Sequence, residues 1–236
     1  YGQLYDTIQS IEGVRQGDSL ASFLFTNTIQ HVLESSKVGH ARIIAATDDI
    51  TIIGPTEDCL KTFQKLQPAL AMLGLKLSHT KCAAMHYKSQ PPPSFERACE
   101  SLGLKCVKSM EILGACISSN DIEMHNWLQA KMSEIESELD ILTHDKLSKQ
   151  SAMLLLRSCY NTRADFLIRV MPYQIIQPQL VKFDELILKT FKKLIQTEQP
   201  LNDLTVERIR LNISNGGIGL TSKYNTAAFA SYASLI

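Results

Sequence analysis

No run of apolar residues in this chain is long enough to cross a bilayer, and its start does not read as a secretory signal. Those absences speak against a helical membrane span and an exported precursor, so no membrane partner is expected. The six cysteines, at 59, 82, 99, 106, 116 and 159, form no Cys-x-x-Cys pair. Without such spacing a disulfide framework is not indicated, and reduced thiols in an intracellular protein, nuclear or cytoplasmic, are the expectation. His79, Cys82 and His86 are three potential zinc ligands, but they lack a fourth and lie across an expected strand, which argues against a structural zinc. Net charge is also lacking, at +0, so composition alone announces no nucleic-acid partner. Neither an internal repeat nor a low-complexity tract is present.

What remains is a chain of 236 residues, 44% hydrophobic and 20% charged, enough for one or two globular domains with real cores. It opens on Tyr1, as a piece of a longer polypeptide would. The charge is unevenly spread. Between Ser118 and Asp145 one basic residue, Lys131, faces seven acidic ones; between Lys146 and Lys193 nine basic residues face three acidic. Nothing in the sequence sets an oligomeric state.

The first half alternates strand-like and helical patterns. Tyr1 to Ile11 reads as an edge strand or loop. Asp18 or Ser19 can cap a helix running to about Ser36, with Leu20, Phe23, Leu24, Asn27, His31 and Val32 on one face. Thr56 can cap a second helix, with Glu57 and Asp58 in its first turn, Leu60, Phe63, Leu66, Leu70 and Leu73 as its stripe, and Gly74 as its stop. Strands are expected at Leu75 to Leu77, Ala83 to Tyr87 and Met110 to Ile117, with a short helix from Phe95 to Leu102. From Asp121 the pattern turns helical, at Ile122 to Leu142, Leu147 to Cys159, Ala164 to Val170, Ile175 to Ile195, Thr205 to Leu211 and Tyr224 to Ile236. Trp127 and its helix's Leu/Ile stripe are expected in the core. The fold class is therefore α+β, with a mixed domain at 1–117 and a helical one at 118–236.

The most informative tripeptide is Thr47-Asp48-Asp49. It separates Ala41-Arg42-Ile43-Ile44-Ala45-Ala46 from Ile50-Thr51-Ile52-Ile53-Gly54, which predicts a tight hairpin with two carboxylates at its tip. Adjacent carboxylates repel unless a cation compensates, and a hard divalent ion with oxygen ligands is the natural partner. Alone, the tripeptide reads rather as an ordinary acidic turn. Its neighbours are Glu12-Gly13-Val14-Arg15-Gln16-Gly17-Asp18-Ser19-Leu20, Leu73-Gly74-Leu75-Lys76-Leu77-Ser78-His79-Thr80-Lys81-Cys82, Glu111-Ile112-Leu113-Gly114-Ala115 and Asn215-Gly216-Gly217-Ile218-Gly219-Leu220.

In this order and spacing, from Glu12 to Leu220, the segments resemble the reverse transcriptases of retroelements that lack long terminal repeats. The resemblance implies a partial polymerase palm with an antiparallel sheet and packed helices, then a helical thumb and C-terminal extension. The full enzyme would extend a DNA primer on an RNA template from nucleoside triphosphates, with Mg²⁺. Asp48 would be the hairpin's metal ligand and Asp49 a weaker one. Gln16 and Gly17 would pack against template and incoming nucleotide. Lys81 would protonate or neutralise the departing pyrophosphate, within hydrogen-bond reach of its oxygen. Lys182, Lys189, Lys192 and Lys193, with Lys146, Lys149, Arg157, Arg163 and Arg169, could line a thumb that grips the duplex backbone, although any one of them taken singly is more readily a solvated helix residue.

There are departures. The family's aromatic residue two places before the hairpin's first aspartate is Ala46, its proline after Gln-Gly-Asp is Ser19, and its asparagine after Gly-Leu-x-Leu is Ser78. The family's first catalytic aspartate has no clear counterpart: Asp6 is the only acid before Glu12 and lacks its flanking pattern. Two other readings stay open, a non-catalytic nucleic-acid-binding remnant of a decayed element and a helical interaction module whose Asp-Asp hairpin is only a turn.

Overall fold

The computed structural model describes residues 13–15, 17–88 and 90–235. Gln16, Asp6 and the expected edge element at Tyr1 to Ile11 lie outside them. The chain forms two compact units, 1–107 and 108–236.

In the first unit, α1 (Ala21–Ser36) packs on α2 (Thr56–Met72), and α2 backs a hairpin of β1 (Arg42–Ala46) and β2 (Asp49–Ile53). The face of α1 that goes inward is not the expected one. Ala21, Ile29 and Ser36 are buried and Phe25 and Val32 partly so, while Leu20, Phe23 and Leu24 are exposed, Phe23 by 66%. Apolar residues lie on more than one side of this helix, so periodicity alone could not choose between them. In α2 the stripe is Thr62, Leu66 and Leu70, with Leu60 and Phe63 half-buried; Leu73 is exposed. Thr56 is the first helical residue rather than a side-chain cap.

Helix α2 ends as expected at Gly74, φ +77°. The Leu75 N–H reaches the Leu70 carbonyl and the Gly74 N–H reaches that of Ala71, a Schellman closure in which glycine adopts the left-handed backbone at no steric penalty. The same four residues, Leu-Gly-Leu-Lys, recur at Leu102–Lys105 and close α3 (Pro93–Ser101) in the same way, through Gly103, φ +67°. The Gly-Leu half of that motif is thus local helix-stop chemistry. Beyond the stop the two copies diverge. Leu75 to Leu77 form no strand, whereas Lys105–Val107 form β4, which pairs in parallel with β3 (Ala83–Met85) across the α3 crossover. Burial, with Cys106 beside it, pushes the Cys99 thiol at the end of α3 up to about 11.

The expected antiparallel sheet is not a single sheet among the described residues. There are three two-stranded ladders, β1–β2, β3–β4 and a hairpin of β5 (Ser109–Ile112) and β6 (Ala115–Ser118). The Met110 to Ile117 run, expected as one strand, folds back at Leu113 (φ +49°) and Gly114 (φ +82°), two consecutive positive-φ residues that make a tight hairpin turn. This hairpin belongs to the second unit. There β6 packs on α4 (Asp121–Leu142), and the Trp127 indole, only partly buried, donates to Glu111 Oε2 at 3.0 Å.

The second unit is otherwise helical. Helix α4 turns Met124, Leu128, Met132, Ile135, Leu139 and Leu142 toward α7 (Tyr173–Leu194), which answers with Ile176, Leu180, Phe183, Ile187 and Phe191. Helix α5 (Lys149–Leu155) runs into a π-helical turn, Leu156–Tyr160, then come α6 (Ala164–Val170), α8 (Asp203–Arg210) and α9 (Lys223–Ala233). Gly216 to Leu220 folds back on the end of α8. Gly219 N–H bonds the Leu211 carbonyl at 2.9 Å, Leu220 N–H bonds that of Ile209, and a Cβ on Gly217 would collide with Leu211. Asn161, at the end of the π turn, then brackets the Thr221 peptide, both of its amide atoms at 3.2 Å. Gly217 is explained by this close return of the chain, and Gly216 and Gly219 by their left-handed backbone, φ +76° and +81°.

Candidate active site

The β1–β2 register runs from Arg42 opposite Ile53 to Ala46 opposite Asp49, leaving Thr47 and Asp48 as a two-residue turn. Thr47 sits at φ +59°. Two-residue hairpins need a positive φ at their first central position because only the mirror-image turns follow the strands' twist. A β-branched residue there is strained, and that strain falls beside the two carboxylates. Asp48 lies in the turn and Asp49 opens β2; both are exposed, and neither carboxylate is hydrogen-bonded or ion-paired within the described residues. Solvent-facing, unpaired carboxylates at a hairpin tip are free to take a cation.

Gly17 stands just before α1 at φ +86°, with open space where a Cβ would be. The glycine is required there by its backbone conformation and not by crowding within the described residues. Asp18 Oδ1 accepts the Leu20 N–H at 2.8 Å, tightening the approach to the helix. Lys81 is exposed in the turn that precedes β3, where its own N–H bonds the Ser78 carbonyl at 2.9 Å. The structure puts Asp48 and Asp49 at one hairpin tip and Gly17 and Lys81 in other turns of the same unit.

Residues 2–117 match the family model described as Reverse transcriptase (RNA-dependent DNA polymerase). That stretch is a reverse-transcriptase domain. No curated protein and no solved structure matches it. The reverse-transcriptase palm thus holds the first unit and runs through the β5–β6 hairpin, and helices follow it. Enzymes of this family act with divalent metal ions on a template, a primer and nucleotides. The hard oxygen donors at the tip fit such an ion, but as an incomplete set: no group of three or more His, Cys, Asp or Glu side chains that could hold a metal exists among the described residues. No described helix is long and apolar enough to cross a membrane.

The basic residues of the second unit have partners that the sequence did not disclose. Lys193 Nζ lies 2.9 Å from Asp140 Oδ1, Lys189 Nζ 3.9 Å from Glu136, and the Arg163 guanidinium 2.6 Å from Glu138. The Lys193 ammonium holds the Asp140 carboxyl below its ordinary value. The acids of α4 stand opposite the cations of α7 because the two helices pack along their apolar stripes and bring these flanks together. Such exposed pairs contribute little to stability. Lys189, Lys192 and Lys193 also border an open cavity of about 730 Å³ with Gln196 and Thr197, whereas Lys182 is exposed and has no carboxylate within salt-bridge distance among the described residues.

Proposed function

We propose that this chain is the later palm and the thumb of an RNA-directed DNA polymerase from a retroelement without long terminal repeats. Residues 1–117 would supply the palm and 118–236 the thumb and C-terminal extension. The observation that carries this reading is the Asp48–Asp49 tip, exposed and unpaired, on a hairpin rooted in α2 within the family-matched stretch. Asp48, with Asp49 in support, would hold Mg²⁺. When bound, such ions neutralise the charge that develops on the attacking and leaving oxygens of nucleotidyl transfer, two ions roughly 3.5–4 Å apart sharing the task. Gln16 and Gly17 would bound the template and nucleotide, and Lys81 would offer a proton to the leaving pyrophosphate.

A two-metal clamp needs a bridging carboxylate from a second strand, and the described residues offer one Asp-Asp hairpin. Incubated with primer, RNA template, Mg²⁺ and nucleotides, the chain alone should therefore give only background extension. Robust incorporation that disappears in Asp48→Asn would reveal an acidic partner within the chain and overturn the half-site. Ala46, which closes the hairpin opposite Asp49 where the family has an aromatic ring, favours the second reading, a nucleic-acid-binding remnant without turnover. Under that reading the chain binds primer–template and remains inactive even when a strand bearing the missing aspartate is supplied.

A further inference from the structure

The tip of the Asp-Asp hairpin is free, but its base is gripped from three sides. The Val38 N–H donates to Thr62 Oγ1 at 3.1 Å, and the His40 N–H donates to Asp58 Oδ2 at 2.8 Å. Asp58 and Thr62 are four residues apart on α2, hence on one face of it. Thr62 is completely buried, as is Ala41 at the foot of β1. Gly39 takes φ +53° directly against Asp58, and a Cβ there would fall on the aspartate's carboxyl group. From the other strand, Gly54 closes on the same loop: its Cβ would lie 3.0 Å from the Ala41 Cα and 3.1 Å from the His40 carbonyl.

We propose that Asp58 and Thr62 are positioning residues for the Asp48–Asp49 carboxylates, two oxygen acceptors on α2 that fix the angle at which β1 leaves the helix. This rests on the reading of the tip as the catalytic edge. Five strand residues per arm make a stem of roughly 17 Å, so a tilt of about 10° at the base moves the tip by about 3 Å. Misplacement of about 1 Å already disables a reacting constellation. Two backbone hydrogen bonds at the base thus govern side chains at the far end of the hairpin. Glycine at 39 is what lets the Asp58 carboxyl come so close.

The test is solution NMR of the ¹⁵N-labelled chain, comparing residual dipolar couplings of the hairpin amides, Ile43 to Ala45 and Ile50 to Ile52, with those of α2. Asp58→Ala and Thr62→Val should each rotate the hairpin relative to α2, by about 10° or more, with the α2 couplings unchanged. Asp58→Asn, which keeps an oxygen acceptor, should restore the wild-type orientation. Gly39→Ala, which displaces the carboxyl from the opposite side, gives a second route if Asp58→Ala fails to fold. Mn²⁺ affinity at the Asp48 and Asp49 amides should fall about tenfold in Asp58→Ala, the usual penalty for losing a group that orients a ligand. Unchanged couplings in both Asp58→Ala and Gly39→Ala, or an Asn variant as displaced as the Ala variant, would overturn the proposal. A wild-type tip that Mn²⁺ leaves untouched would instead defeat the metal reading, and the couplings would still decide the positioning role.

Discussion

Asp184→Ala should be among the most destabilising single changes in the helical unit. The Asp184 carboxylate is buried and takes three donors at the start of α9: the Ser222 hydroxyl at 2.5 Å, the Lys223 N–H at 2.8 Å and the Tyr224 N–H at 3.3 Å. Two of these are first-turn amides, which have no partner within their own helix, and the negative charge sits at the positive end of the helix dipole. The Ser222 hydroxyl oxygen then accepts the Asn225 N–H, so the network extends into the helix. Truncation leaves three donors without an acceptor, about 1 kcal/mol or more each, for a total of about 3 kcal/mol. The midpoint of thermal unfolding should fall by about 10 °C. Asp184→Asn, which retains an acceptor, should lose roughly half as much. Equal losses in Asn and Ala would mean that charge, not the bonds, holds α9.

The neighbouring pair gives a sign as well as a size. Lys223 is nearly fully buried, its ammonium 2.6 Å from the partly exposed Asp165. Asp165→Ala strands a buried charge, whereas Lys223→Met removes the charge and keeps the volume. The first should therefore destabilise more than the second, by about 2 kcal/mol. Urea denaturation of the two variants checks the order.

Binding to primer–template duplex should fall steeply with salt, and the acids of α4 should set its strength. With Glu136 and Asp140 beside Lys189 and Lys193, phosphate must displace carboxylate at two of the three lysines on that flank. If all three neutralise phosphates, a log–log slope of about −0.9 per contact gives about fortyfold weaker binding at about 200 mM than at about 50 mM salt. Lys189, Lys192 and Lys193 changed together to Ala should weaken binding for every sequence alike and flatten that slope, because backbone contacts carry no base information. Glu136→Gln with Asp140→Asn should do the reverse and tighten it. Binding indifferent to salt and to both sets of changes would leave these lysines as solvated partners of α4. The α4–α7 ion pairs set part of the acidic stretch beside the basic flank.

What could be read in advance was whatever depends on neighbours along the chain. Ala164 to Val170 emerged with the expected bounds, and α4, α7 and the Asp-Asp hairpin within two residues or so, because their periodicity, caps and turn residues are local. The inward face of α1 was missed because Phe23 and Leu24 look like core and are exposed. The fold-back at Leu113–Gly114 was missed because an apolar run conceals a turn whose sign is carried by φ. Asp58 was legible only as a first-turn acid. Its bond to His40, like those of Asp184 to residues nearly forty positions away, depends on which helices meet.

Titration with Mn²⁺ while the backbone amides are followed by NMR addresses the hairpin's role most directly. The amides from Thr47 to Ile50 should broaden first, well before those of α4, whose first turn carries Asp121 and Glu123 and serves as an internal control for loose carboxylate binding. Asp48→Asn should abolish that broadening and Asp49→Asn should reduce it. Broadening that begins on α4, or that persists at the hairpin in Asp48→Asn, would mean that the Asp-Asp tip is an ordinary acidic turn.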